Sequence, residues 1–315
     1  MALFRRSAAR ETARKPQEIA ASPAWRLVGA MLSHPGKIRT NNEDTVAFAL
    51  PHSDGGEFHG DALLLVADGM GGHAAGEVAS RIAADVLYRC FFAGSGRPVH
   101  EVLAECFHQA NAEIFEAGRQ NPEYAGMGTT CTAIAVRHNC AWLAHVGDSR
   151  AYMLRDDDFH QISEDHTLVA ELVRRGSLTR EEAAASPERN VILKALGTAA
   201  TVEPRIWDEG MVLRPNDRLL LCSDGLSDLV TDTMMQELIA AHSPLDACQA
   251  LIDAALGAGG HDNVSVGVFH LTDRFDETDA ADTVIERPTR RTEDAPIADR
   301  PTRRNADAPI GDGAN

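Results

Sequence analysis

Residues 63–73 read LLLVADGMGGH. A continuous apolar run ends abruptly in Asp68, Gly69, Met70, Gly71, Gly72 and His73. A run of this length bounded by glycines predicts a strand buried on both faces. The carboxylate at its end is carried by a rigid element into open space. The glycines behind it let backbone approach something small, a cation or a phosphate. The competing reading is an Asp-Gly turn that closes a hairpin. The pattern recurs at residues 219–225, LLLCSDG. Two buried strands that each deliver an Asp-Gly are harder to explain as two turns. They read as two walls of one hard-cation site, because carboxylate oxygens suit Mg2+ and Mn2+.

The chain has 315 residues and 44% hydrophobic content, enough to bury a large core. Aromatics are only 5%, so that core is built mainly from Leu, Val, Ile and Ala. The formal net charge of -17 argues against nucleic-acid binding, which needs a basic footprint, and against anionic membrane surfaces. None of the six cysteines forms a CxxC pair, so a structural zinc site is not expected. They read as reduced, buried small hydrophobes of a cytoplasmic protein. No apolar run is long enough to span a bilayer, so no stable membrane insertion is expected. The N-terminus, MALFRRSAARETARK, is basic and lacks the apolar core of a signal peptide.

Around the central stretch the chain divides into three parts. Residues 1–24 read as a flexible basic leader, or as a short amphipathic helix that touches a partner or a membrane. Order is expected over residues 25–272. Residues 26–33 read as a strand, broken by His34, Pro35 and Gly36, and followed by RTNNED at residues 39–44. Adjacent strand residues point to opposite faces, so Glu43 and Asp44 reach one ion together only through water or a bent backbone. Residues 77–92 and a segment opened by Pro98 show helical periodicity. Residues 129–137 and 140–146 read as strands, the second ending in Gly147, Asp148, Ser149 and Arg150, where a hairpin turn is the plain reading. His145 on that strand reads as a core histidine. Residues 164–197 are charged and amphipathic, with a helix start at Thr179, and read as a flap outside the sheet. Two further helices are expected over residues 231–241 and 244–256, the second ended by Gly257. Asp262 then stands before an alternating strand. From residue 273 the hydrophobics thin out and RPTRR and DAPI appear twice. That tail cannot bury enough apolar surface to fold, and reads as a disordered solvated tail or a docking segment.

Asp68, Asp148, Asp224 and Asp262 thus fall at glycine-marked strand boundaries, with Arg39, Glu43 and Asp44 in a similar setting. Two hard cations about 3.5–4 Å apart activate a water and aim it at phosphorus. Arg39 then suits the non-bridging phosphate oxygens. RTNNED, VADGMGGHAAGEVAS, GTT, HVGDSRAY, EDHTLV, LKALG, CSDGLSD and GGHDNVSV occur in this order. On these motifs the chain resembles the bacterial metal-dependent serine/threonine protein phosphatases of type 2C, over nearly the whole globular region.

The resemblance implies an α+β fold, a four-layer α-β-β-α sandwich of two antiparallel sheets flanked by helix pairs. It implies two core Mn2+ or Mg2+ ions and a third, weaker one. Asp68 would bridge the core pair and the Gly69 carbonyl would bind one of them. Asp224 and Asp262 would bind the other. Glu43 and Asp44 would hold bound waters, with Asp44 the more direct, and Asp148 with Asp224 would hold the third ion. Arg39 would hold the substrate phosphate. Met70 stands where animal-type members carry a histidine. His73 is left either as a proton donor to the leaving alkoxide or as a pin for the glycine loop. The implied activity is hydrolysis of phosphoserine and phosphothreonine by direct attack of a metal-bridged hydroxide. The implied partners are phosphorylated proteins, including a bacterial Ser/Thr kinase and its substrates, met by a monomeric enzyme. The rival readings are a pseudophosphatase that only binds phosphoproteins, and a metal-dependent nuclease or small-molecule phosphoesterase.

Overall fold

The computed structural model describes residues 25–50, 52–54, 57–59, 61–71 and 75–273. The chain opens with β1 (Trp25–His34), β2 (Asp44–Ala49), a small hairpin of β3 (His52–Asp54) and β4 (Glu57–His59), and β5 (Asp61–Met70). Two long helices follow, α1 (Ala75–Ala93) and α2 (Val99–Gln120). Then come β6 (Gly128–Thr129), β7 (Cys131–Arg137), β8 (Cys140–Val146), β9 (Arg150–Arg155) and β10 (Asp158–Gln161). After the short helices α3 (Leu168–Arg174) and α4 (Arg180–Ala184) the chain adds β11 (Arg205–Ile206), β12 (Met211–Val212) and β13 (Arg218–Cys222). It closes with α5 (Asp224–Ser227), α6 (Asp232–Ala241), α7 (Pro244–Gly257) and β14 (Val264–Asp273).

The strands form two main antiparallel sheets. One has the order β1-β14-β13-β9-β10, the other β11-β8-β7-β5-β2, with β12 beside β8 and β6 beside β5. Side chains of a strand alternate between faces, and β5 uses both. Ala62, Leu64 and Val66 enter the layer between the sheets, while Leu63, Leu65 and Ala67 meet α1 and α2. β13 repeats the device. Leu219 and Leu221 join the layer between the sheets, and Leu220 and Cys222 meet α6 and α7. Burial on both faces explains why each strand reads as an unbroken apolar run. Phe48 and Phe269 join the two sheets edge to face, with centroids 5.5 Å apart. The result is the four-layer α-β-β-α arrangement.

The hairpin readings fail for one physical reason. β5 leaves its sheet for α1, and β13 leaves for α5. β8 and β9 lie in different sheets, so residues 147–149 cross the sandwich. All three Asp-Gly or Gly-Asp segments therefore sit where the chain leaves a layer.

The segment 164–197 is fastened at both ends. Near its start the His166 N–H donates to the Gly147 carbonyl at 2.7 Å. Near its end Leu196 and Thr129 exchange both backbone bonds, at 2.8 and 3.0 Å. Thr179 does start a helix. Its hydroxyl accepts from the Glu182 N–H and the Glu182 carboxylate accepts from the Thr179 N–H, a closed capping box.

Two expectations are corrected. Cys90 and Cys106 are a disulfide joining α1 to α2, with Cα atoms 5.4 Å apart, whereas Cys131, Cys140, Cys222 and Cys248 are free thiols. The packed faces of α1 and α2, on which Cys90 is half-buried and Cys106 buried, bring the two together. Gly257 remains inside α7, and the turn is made by Gly259 and Gly260, which have positive φ. No helix among the described residues is long and apolar enough to cross a membrane. The expectations for the leader and for the repeat tail fall outside the described residues.

Candidate metal centre

The pairing of β2 with β5 sets Asp44 directly opposite Asp68. Like charges in that relation destabilise a sheet unless a proton or cation intervenes. Asp148 stands on the crossover after β8, Asp224 opens α5 and Asp262 precedes β14. Burial holds the Asp68 carboxyl well above the usual range, and Asp44, Asp224, Asp148 and Asp262 add to it. Burial pushes Asp44 up to about 7, opposed by hydrogen bonds from Ser265 and Ser223. Asp148 rises to about 8 by burial and then by Asp224 and Asp165. Asp224 rises to about 6 by burial, Asp228 and Asp262. Glu43 is raised by burial as well. The acids share one electrostatic neighbourhood.

Oxygen atoms in this neighbourhood lack partners. Asp44 Oδ2 accepts from Ser223 Oγ at 2.8 Å, but Asp44 Oδ1 and Asp224 Oδ1 are buried without a hydrogen bond. Each such orphan costs about 1–3 kcal/mol. Hard cations take oxygen donors of this kind, so these residues fit a Mg2+ or Mn2+ site. Among the described residues, however, no three carboxylate, imidazole or thiol groups close into a complete ligand set.

Backbone closeness explains two glycines. A Cβ at Gly69 would overlap the Gly76 carbonyl and meet Glu43 O at 2.6 Å, and one at Gly76 would meet Glu43 Oε2 at 2.7 Å. The Gly69 N–H donates to Glu43 O at 3.2 Å and Ser80 Oγ donates to the same oxygen at 2.6 Å. The start of α1, Gly69 and Glu43 are thereby packed into one corner.

Arg39 and Asp262 form an ion pair with each other at 2.8 Å. Both side chains are exposed, 55% and 39%, so the pair contributes less than about 1 kcal/mol and exchanges readily. The pair uses one N–H of Arg39 and one oxygen of Asp262, so each side chain keeps other donor or acceptor capacity for a phosphate or a metal. His73 lies outside the described residues.

Several supporting residues had no role in the sequence reading. Asn263 Oδ1 accepts from the Glu43 N–H at 2.8 Å, and its Nδ2 donates to Pro35 O at 3.0 Å and Asn41 O at 2.9 Å. One buried amide thus ties the Asp262 turn to the RTNNED loop. Thr130 Oγ1 accepts from the Asp68 N–H at 3.0 Å, and Thr129 Oγ1 donates to Asp68 O at 2.8 Å. Thr129, Thr130 and Asn263 fall inside the GTT and GGHDNVSV motifs, but nothing local in the sequence separates their part from that of their neighbours.

Two antiparallel sheets flanked by helices, with oxygen donors for hard cations where their strands end, define an α+β protein with a divalent-metal centre. The family described as "Protein phosphatase 2C" matches residues 40–258, a span that stops just short of Arg39 and Asp262. The serine/threonine protein phosphatase PstP of Mycobacterium tuberculosis is 41% identical over 244 residues, covering 78% of this chain and 45% of that protein. The protein phosphatase PhpP of Streptococcus pneumoniae is 35% identical over 248 residues, covering 78% of this chain and 97% of that one. The crystal structure of the PstP catalytic domain in complex with two manganese ions superposes with a TM-score of 0.68 at 39% identity. It covers 79% of this chain and 100% of that one. The chain belongs to the protein phosphatase 2C family, the metal-dependent serine/threonine protein phosphatases. It spans about half the length of the mycobacterial relative.

Proposed function

We propose that this chain removes phosphate from phosphoserine and phosphothreonine in proteins, using Mn2+ or Mg2+ held by its own strand-end acids. The observation that carries the reading is the pair of orphaned, buried oxygens on Asp44 and Asp224, set among carboxylates that repel one another. When bound, divalent cations supply an activated water and positive charge for the phosphoryl oxygens. Asp68, Asp224, Asp262 and the Gly69 carbonyl would hold two core ions. Glu43 and Asp44 would act through bound water, and Asp148 with Asp224 would hold a third, weaker ion. Arg39 would orient the phosphate with its guanidinium fork. The proton for the leaving serine or threonine oxygen would come from His73 or from bound water.

The catalytic unit in this reading is residues 25–272, with 164–197 as its flap. Its substrates are phosphoproteins, among them a bacterial Ser/Thr kinase and that kinase's targets. The acidic balance of the chain disfavours nucleic acid as a substrate. The relatives named above, one of them seen with two manganese ions, support the metal and the substrate class.

The test is phosphate release from a phosphothreonine peptide with and without Mn2+, in wild type and in Asp224→Ala. Release that needs Mn2+ and falls at least about a hundredfold in the variant is the expected result. No turnover by folded, Mn2+-loaded wild type would instead favour a pseudophosphatase that only binds phosphoproteins.

A further inference from the structure

His166 lies near the start of the 164–197 segment, and the phosphatase reading gives it no task. Its backbone N–H donates to the Gly147 carbonyl at 2.7 Å, and its Nδ1 accepts from the Gly147 N–H at 3.2 Å. One residue therefore holds both polar groups of Gly147, the residue before Asp148. Gly147 has a φ of +109°, and a Cβ there would meet the Thr130 side chain at 2.5 Å. The peptide is caught between Thr130 on one side and His166 on the other.

The other side of the Asp148 turn is held by hydroxyls. Thr130 Oγ1 and Ser149 Oγ are 2.6 Å apart, and Thr132 Oγ1 donates to Ser149 O at 2.7 Å. Thr132 has only one proton and spends it on that bond. The 2.8 Å contact between Thr132 Oγ1 and His145 Nδ1 therefore has the imidazole as donor. His145 carries its proton on Nδ1, which leaves its buried Nε2 bare, and that atom has no partner. His166 must be the opposite tautomer, because its Nδ1 accepts. The two rings stack with centroids 4.9 Å apart. Burial keeps both imidazoles far below their usual values, about 4 for His145 and about 3 for His166, so both stay neutral near pH 7. His166 also lines an open pocket of about 250 Å³ with Glu164, Thr167, Lys194 and Arg205.

We propose that His166 is a positioning residue that fixes the Asp148 carboxylate by gripping both polar groups of the Gly147 peptide, so that the 164–197 segment and Asp148 move as one unit. The inference rests on the reading of Asp148 as a ligand for a weakly held cation. Residues that orient a metal ligand without touching the metal matter about tenfold to a hundredfold for affinity or activity.

The experiment compares wild type with His166→Leu and His166→Asn. Leucine removes the acceptor and leaves the Gly147 N–H stranded. The Asn Oδ1 sits where the imidazole Nδ1 was and still accepts. Mn2+ binding by titration calorimetry and the Mn2+ concentration for half-maximal phosphate release are read together. The expected result is that His166→Leu loses its weakest Mn2+ binding step and needs about tenfold more Mn2+, with the tighter ions retained. His166→Asn recovers most of both. Equal loss in the two variants, or wild-type Mn2+ binding by folded His166→Leu, overturns the proposal. If His166→Leu does not fold, His166→Ala against His166→Asn gives the same comparison. Failure of wild type to release phosphate would count against the phosphatase reading, whereas the calorimetric comparison of variants judges His166 by itself.

Discussion

At the scale of single residues, burial decides the protonation state that the deepest imidazoles keep. His270, on β14, shows this away from the carboxylates. Its Nε2 is buried without a partner, and burial together with Arg218 lowers its pKa to about 4. In the unfolded chain a histidine titrates near 6.5. Between these values the unfolded state binds the extra proton and the folded state does not. Stability contributed by keeping His270 neutral is thus full above about pH 6.5 and is lost as pH falls through about 4. His270→Gln should flatten the acid limb of the stability profile by about 2–3 kcal/mol. Urea unfolding at a series of pH values, with the variant subtracted from wild type, measures it. A difference curve that is level between pH 4 and 6.5 would refute the assignment. Residue roles were only partly legible in the sequence. Asp68 and Asp224 stood out because an acid closing a long apolar run has few structural reasons to be there. Asn263 and Thr130 did not, because their importance lies in partners 220 and 62 residues away.

At the scale of elements, the strands were legible where both faces are buried. β5 and β13 pack against a helix layer on one side and the opposite sheet on the other, so no polar alternation interrupts them. The crossovers were not legible. Gly-Asp-Ser after β8 has the chemistry of a hairpin, and nothing local tells whether the next strand returns to the same sheet or joins the other. The Cys90–Cys106 link was hidden for a similar reason. Each cysteine reads as one more small apolar residue on an inward helical face, and only the packing of α1 on α2 brings the two together. The link closes a loop of 16 residues. In the chain-entropy account such a loop stabilises by about 3 kcal/mol. Replacing both cysteines with alanine should therefore lower the unfolding midpoint of the oxidised protein, and a reductant should bring wild type down toward the variant. Thiol counting by mass spectrometry after alkylation checks the premise, because six free thiols in the unreduced protein would remove it.

At the scale of the whole described unit, the acids do not belong to one sheet. Asp44 and Asp68 come from β2 and β5, whereas Asp224 and Asp262 flank β13 and β14 of the other sheet, and Asp148 lies on the crossover between the two. A cation set held by all of them would tie one edge of the sandwich together, and without it the same edge carries mutually repelling carboxylates. Metal affinity and folding stability are then one quantity measured in two ways. Ligand present at about a hundred times its dissociation constant stabilises the folded state by about 2.7 kcal/mol. For a domain of this size that corresponds to a rise in Tm of roughly 5–10 °C. Chelator-stripped protein should therefore melt lower than the Mn2+-loaded form. Asp224→Ala should lose most of that rise, because it removes one oxygen donor from the set, while its metal-free form is no less stable than wild type since one repelling charge is gone. Hydrogen exchange adds the location. Amides near Asp68, Asp148 and Asp224 should slow on Mn2+ binding, while those at the far ends of β5 and β13 change little. Slowing spread evenly over both sheets would instead mean that the ion stabilises the fold without bridging this edge.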